Sequence, residues 1–256
     1  MTAIDDIKLF KGEPIKITDK IILSQPKVQD IFKDLKTEQR FYQFVQSFTA
    51  ITLDSSIIVF LTDKVKVDFT KISNWELFAL LSIAFDQEIS SYFFGDLDWN
   101  SMQPYNDENG NLYIENKDGV KITEIIYDLL FQYMRIINNM PLRIQTRILD
   151  DEVQKTMAIT NARREVQSAI KKEGFAPSGS LLLPYISSLS NYCGLKSDEM
   201  IYNMNLYRFW DSVNRTQARE DCVSISYGYY SGNISLKDNP SLKKNLNWMR
   251  SFKNEH

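Results

Sequence analysis

Leu181-Leu182-Leu183-Pro184-Tyr185-Ile186 opens a stretch, 181–227, that runs through Asn205-Leu206-Tyr207-Arg208-Phe209-Trp210 to Tyr227 and concentrates large apolar residues at helical spacing. Ser180 can cap a helix with its hydroxyl, and Leu181, Leu182, Tyr185, Ile186 and Leu189 then form one broad stripe. Pro184 in a first turn costs no hydrogen bond, because those N–H groups have no intrahelical partner, so it marks a start near Leu182 rather than a break. Gly194 suits the position just past a helix end, and Ser197-Asp198-Glu199 begins the next helix with a cap and two charges at the positive end of its dipole. That helix continues or kinks at 203–205, after which Leu206, Phe209, Trp210 and Val213 recur at i, i+3, i+4 and i+7, a core face. Nothing in the stretch groups side chains able to perform a reaction; what it defines is helical architecture.

Upstream of it the signals mix. Leu9-Phe10, Ile15-Lys16-Ile17 and Ile21-Ile22-Leu23 read as short strands separated by the turn residues Lys11-Gly12-Glu13-Pro14. Pro26 introduces a short helix at Val28–Phe32, and Thr37 is expected to cap a second in which Phe41, Val45 and Phe48 recur. Ile57-Ile58-Val59-Phe60-Leu61 is too short for periodicity to tell a buried strand from a buried helical turn. Ser73-Asn74-Trp75-Glu76 has capping-box spacing and introduces Leu77, Leu80, Leu81, Ala84 and Phe85. Asp96-Leu97-Asp98-Trp99 alternates as a strand does, and Asn109-Gly110 before Leu112-Tyr113-Ile114 is a hairpin signal. Thr123 then caps a helix with Ile126, Leu129, Leu130, Tyr133, Met134 and Ile137 on one face, stopped by Asn138-Asn139 before Pro141. From Asp150 to Glu173 a polar composition with the thin stripe Val153, Met157, Ile159, Val166 predicts a long exposed helix, mobile or paired with another chain if its own domain does not hold it. Past Gly228 and Gly232, residues Leu242, Leu246 and Trp248-Met249 predict a last short helix folding back. The fold class is therefore α+β, mainly α, with small β-hairpin elements in the N-terminal half and a helical C-terminal bundle. The expected division is a mixed domain at 1–143, a polar helical arm and hinge at 144–179, and a helical domain at 180–256.

At 256 residues the chain is long enough for one large core or two smaller ones, and 43% hydrophobic with 25% charged residues is ordinary for a globular protein. Thirty basic against 33 acidic residues leave a net charge of −3, which gives no electrostatic reason for wide contact with nucleic acid or anionic membrane. The first residues lack the basic-then-apolar order of a signal peptide and no apolar run approaches a membrane span, so a cytoplasmic protein is expected. Cys193 and Cys222 fall on predicted helices among apolar residues and read as buried thiols rather than a disulfide.

Chemistry is mostly excluded by missing groups. The sole histidine is His256, the last residue, so a histidine base or a histidine-rich metal site has no internal residue to use. Gly174 and Gly179-Ser180 have the outer spacing of a phosphate loop without its lysine, and the region of Asp107, Asn109 and Gly110 echoes a calcium loop without its key carboxylates. No cofactor fingerprint is present, and the chain is expected not to be an enzyme. Asp96 and Asp98, on one face of the expected strand, are the pair that could hold a divalent ion in a nuclease-like site, though a solvated strand face is the favoured reading. Tyr207, Arg208, Tyr227, Tyr229 and Tyr230 could stack on bases or fill a partner's groove, but the aromatic rim of a helical core is the favoured reading.

Two series of residues carry a resemblance. The first is Phe10-x-Gly12, Ile15-x-Ile17, Ile21, Gln25-Pro26-x-Val28-x-Asp30-Ile31, Tyr42 and Phe48-Thr49-Ala50; the second is Phe94-Gly95-Asp96-Leu97-Asp98, Leu182-Leu183-Pro184-x-Ile186-Ser187, Asn203-Met204, Phe209-x-Asp211-Ser212-Val213-x-Arg215 and Asn247-Trp248-Met249. Together they resemble tail-morphogenesis proteins of tailed bacteriophages and Gram-positive prophages, as scattered positions over most of the chain. The resemblance implies a non-enzymatic tail assembly chaperone that binds the tape-measure protein in the host cytoplasm. The alternative it implies is a structural part of the tail or baseplate, with tail-tube or baseplate partners; a homo-oligomer is compatible with either. Such chaperones are often shorter, and 95–122 departs from them.

Overall fold

The computed structural model describes residues 5–49, 55–140, 152–173, 179–193 and 197–249. The protein is mainly α-helical with two small antiparallel sheets, the α+β class expected. Asp5 accepts hydrogen bonds from the Ile7 and Lys8 N–H groups and starts helix α1, Asp6–Lys11; Gly12, with φ of 73°, closes it. Leu9 and Phe10 are thus helical, a correction to the strand expected there. A lone apolar pair carries no periodicity, whereas the aspartate cap and the glycine able to turn left-handed fix both ends. Strands β1, Ile15–Lys16, and β2, Ile22–Leu23, form the expected hairpin.

Helix α2, Val28–Ile31, leads to α3, Leu35–Thr49. Its cap is Asp34, whose carboxylate accepts the Thr37 N–H at 2.8 Å and the Thr37 hydroxyl at 2.9 Å, so Thr37 lies inside the helix and is a donor rather than the cap. Ile57–Leu61 resolves as helix: α4, Ser55–Val59, runs into a π-helical turn at Phe60–Val65. The Ser73 capping box forms as expected at the start of α5, Asn74–Ser82, with the Glu76 N–H to the Ser73 hydroxyl at 3.1 Å and the Ser73 N–H to the Glu76 carboxylate at 2.7 Å. The face that α5 buries is rotated from the expected one, however: Trp75, Leu77 and Phe78 are inside, while Leu80 is exposed. Helix α6, Gln87–Phe94, packs its aromatic end against α3.

Strands β3, Gln103–Asn106, β4, Leu112–Glu115, and β5, Lys121–Thr123, form a meander whose first turn holds Asn109-Gly110. Asp107 organises that turn by accepting the Asn109 and Asn111 N–H groups. Helix α7, Glu124–Ile137, follows with Thr123 at its cap position but no side-chain capping bond, and Asn138 and Asn139 terminate it. Helix α8, Glu152–Glu173, is long and polar as expected. It nevertheless lies along α4, burying Ala162 and half-burying Ala158 and Ile159, while Val153 and Met157 face solvent.

Helices α9, Leu183–Cys193, α10, Asp198–Tyr202, and α11, Leu206–Tyr230, complete the chain before a 3₁₀ turn at Pro240–Leu246 that folds back on α11. The Ser180 hydroxyl accepts the Leu183 N–H at 2.9 Å, Pro184 sits harmlessly in the first turn, and Ser197 caps α10. Leu182, Ile186 and Leu189 form the buried stripe of α9; Leu181 and Tyr185, expected on it, are exposed because the stripe is narrower than a full apolar face. Gly194 and the side chain of Cys193 lie outside the described residues. Cys222 is a free, half-buried thiol, its sulfur 3.3 Å from the Leu246 carbonyl oxygen.

The core is one contiguous apolar cluster in which the Phe78, Phe85, Phe94 and Trp99 rings each pack on the Phe48 ring. Leu182, Ile201, Leu206 and Phe209 belong to the same cluster as Leu9 and Leu23. Segments far apart in sequence meet at Ser24–Val28. Ser24 N–H bonds the Phe93 carbonyl and Val28 N–H the Met204 carbonyl; the Leu206 N–H bonds the Pro26 carbonyl. Among the described residues no helix is long and apolar enough to cross a membrane.

Candidate protein-binding surface

Helix α11 carries all five aromatic and basic candidates, and its length divides them. Tyr207 and Tyr227 are twenty residues apart, which at 1.5 Å per residue is about 30 Å. Near the first, every free N–H of the opening turn is satisfied. Leu206 bonds Pro26, Tyr207 donates to the Gln25 side-chain oxygen at 3.1 Å, and Arg208 donates to the capping Asn205 side chain at 2.9 Å. Gln25 reaches the other way with its amide nitrogen to the Leu9 carbonyl, and Asn205 likewise to the Phe10 carbonyl. Tyr207 is half-buried, which raises its phenol pKa, and the Arg208 guanidinium lies 5.3 Å from the Phe10 ring. These two residues therefore seal the joint between α1 and α11, and they do not share a surface with the three distal tyrosines.

Tyr227, Tyr229 and Tyr230 stand at the opposite end, 75%, 49% and 85% exposed. They do not rim the large core, whose cluster reaches along α11 only as far as Phe209 with Trp210 and Val213 against it. Beyond Asn214, which pairs with Asn139 across to α7, the inner side of α11 is covered by its own chain's fold-back. Ile225 is buried, the Cys222 sulfur meets the Leu246 carbonyl, and a Cβ at Gly228 would come within 2.4 Å of the Ile234 side chain. Among the described residues the outer side has no such cover. Val223, 42% exposed, precedes Tyr227 by one turn and shares its face, with Tyr230 the next turn on. Sequence reading grouped the tyrosines and passed over Val223; its spacing of four and then seven residues to Tyr227 and Tyr230 was the available signal. Tyr229 flanks the strip, its ring edge-on to Tyr230 with centroids 5.6 Å apart.

The strand expected to carry Asp96 and Asp98 on one face does not form. Residues 96–99 are a turn after α6 rather than a strand, so Asp96 and Asp98 do not share a strand face. The Gln87 side chain takes the backbone groups a neighbouring strand would have used, donating to the Leu97 carbonyl at 2.8 Å and accepting the Trp99 N–H at 3.2 Å. The alternation reflects Leu97 and Trp99 turning inward from that turn. Asp98 is engaged by Lys117 at 2.8 Å, and that bond, first among its surroundings, holds its pKa below the usual carboxylate value. Among the described residues no three His, Cys, Asp or Glu side chains gather as a metal would require. No protein-family model, curated protein or solved structure matches the chain.

Proposed function

We propose that this protein is a non-enzymatic, protein-binding factor of phage tail assembly, a chaperone-like partner of the tape-measure or another tail protein in the host cytoplasm. The observation that supports it is the distal end of α11, where Val223, Tyr227 and Tyr230 line an uncovered face far from the core. Tyrosine is the side chain most suited to such a role, giving large apolar contact with a polar tip and few rotors to freeze. A net charge of −3 favours a protein partner over a nucleic acid. The resemblance along Gln25–Ile31, Phe94–Asp98 and Phe209–Arg215 supplies the tail.

The test is capture of tape-measure, tail-tube and baseplate proteins by the tagged chain on co-expression. Binding of one of them, weakened at least about tenfold by Tyr227→Ala with Tyr230→Ala, is the expected result. Capture of none overturns the tail reading. Mass spectrometry of purified virions separates the two roles within it: a chaperone is absent, whereas a tail or baseplate component is present in fixed copy number.

A further inference from the structure

We propose that 57–62 is a strand-forming segment held helical by α8, which guards it: where α8 lets go, the segment opens and pairs as β-strand with the same segment of other copies. This device lies away from the distal end of α11 and is independent of whatever α11 binds. Ile57-Ile58-Val59-Phe60-Leu61-Thr62 is uncharged and free of glycine and proline, and four of its six residues are β-branched. Such side chains lose rotamer freedom against the preceding turn of a helix and pack well on a pleated sheet. Short runs of this composition are the ones that stack into dry cross-β interfaces. Asp63 and Lys64 bound the run, the charged flank that natural sequences place beside a segment of this kind.

The helix that the segment adopts bears the mark of this conflict between local preference and fold. Helix α4 lasts five residues before its ladder widens into the π-helical turn Phe60–Val65, a form found mostly as single-turn interruptions of other helices. Lys66 then ends it in a left-handed conformation, φ 61°, which disfavours any residue bearing a Cβ. Apart from the π-turn that continues it, α8 is the element laid most fully along α4 among the described residues. Ile57, Ile58 and Leu61 are buried, while Phe60 faces solvent. For its part α8 brings little apolar surface, namely Ala158, Ile159 and Ala162. Its side-chain bonds are polar: Lys155 donates to Asp68, the Arg163 fork to Asp63, and the Ser55 hydroxyl to Glu165. All three land on 55–68, the guarded segment and its immediate continuation. A cover held chiefly by charge can open locally without dismantling the aromatic cluster around Phe48, and its departure leaves a β-prone run without its lid.

Lys155→Glu with Arg163→Glu sets carboxylates against Asp68 and Asp63 and tests the guard in the full chain at neutral pH. Amide exchange should show 152–173 and 55–65 losing protection together while α3 and α7 keep theirs. Incubation should then give thioflavin-positive aggregates, with a fibre reflection at about 4.7 Å, several-fold sooner than for the wild type. Adding Phe60→Lys should abolish them, since that side chain already faces solvent and a charge there breaks strand pairing while sparing the fold. If circular dichroism shows that the double variant has lost its overall helix content, Arg163→Gln takes its place with the same readouts. Unchanged protection over 152–173 overturns the charge-held guard. Release of α8 without aggregation overturns the strand-forming segment, as do aggregates that Phe60→Lys leaves undiminished or whose protease-resistant core excludes 57–62.

Discussion

Glu38 shows how much one side chain holds. It is 2% exposed on α3, and its carboxylate accepts the Leu182 N–H at 2.8 Å, across 144 residues of chain, just where α9 begins. That N–H has no partner within its helix, so the bond both caps α9 and docks it to the core. Glu38→Ala removes the acceptor from a buried donor and should cost about 1–3 kcal/mol. For a chain of this size that is a fall of about 3–10 °C in melting temperature, and Glu38→Gln, which keeps an acceptor, should lose less than half as much. Gly12 is a second such position. Its φ of 73° suits glycine, and an added Cβ would lie 2.8 Å from the Asn205 amide nitrogen, so Gly12→Ala should lower the melting temperature by several degrees, read in the same thermal melts. Neither dependence is visible in sequence, because nothing local to Glu38 or Gly12 names a partner nearly 150 to 200 positions away.

Helix α8 owes much of its attachment to charge. Lys155 pairs with Asp68 at 2.7 Å, Arg163 with Asp63 at 2.6 Å, and Glu165 accepts from Ser55; among its described side chains Ala162 alone is buried. The Lys155 bond, ahead of lesser contributions, holds Asp68 down to about 2, and Arg163 likewise lowers Asp63. A carboxylate whose native pKa is depressed stabilises fully above its unfolded value of about 3.9 and stops doing so as pH falls through the native one. Amide exchange over 152–173, corrected for intrinsic rates, should therefore lose protection between about pH 4 and pH 2 before α3 and α7 do. High salt should loosen the Arg163 pair at neutral pH. Limited proteolysis of the free protein measures the same balance: cleavage between 150 and 179 that a tail partner suppresses would make the helix a binding arm, and resistance would make it part of the fold. The helix itself was legible in its composition, as were the capped starts at Ser73, Ser180 and Ser197 and the Asn109-Gly110 hairpin, because each of these rests on residues within one turn of each other. The pairing of α8 with α4 was not, since Ile57–Leu61 is ambiguous alone and alanines leave a stripe too thin to read. Asp96 and Asp98 misled for the opposite reason: two-residue alternation is shared by strands and by a turn that buries every second side chain. The distal tyrosines of α11, read from sequence chiefly as the rim of a helical core, are instead exposed, and their separation from Tyr207 and Arg208 follows only from the unbroken length of the helix.

The whole molecule is tied by its core rather than by its chain order. Since side chains from Leu9 to Phe209 form one cluster, residues before 143 and after 180 should unfold together. In chains keeping one tryptophan each, the urea transitions reported by Trp99 and Trp210 are expected to coincide, whereas Trp248, half out of the fold-back on α11, should report an earlier one. Separate transitions for Trp99 and Trp210 would instead divide the chain at the polar arm. The seam at Ser24–Val28 carries a consequence for synthesis. Gln25 leaves the ribosome well before its partner, since the Tyr207 N–H it accepts is 182 residues further on, and Met204 and Leu206 close on Lys27 and its neighbours at the same range. At about 5–20 residues per second the first hairpin waits roughly 10–40 s for its other half, with Leu9, Leu23 and Val28 unsheltered meanwhile. In a crowded cell that interval, more than the finished structure, is when this protein itself would have need of a chaperone.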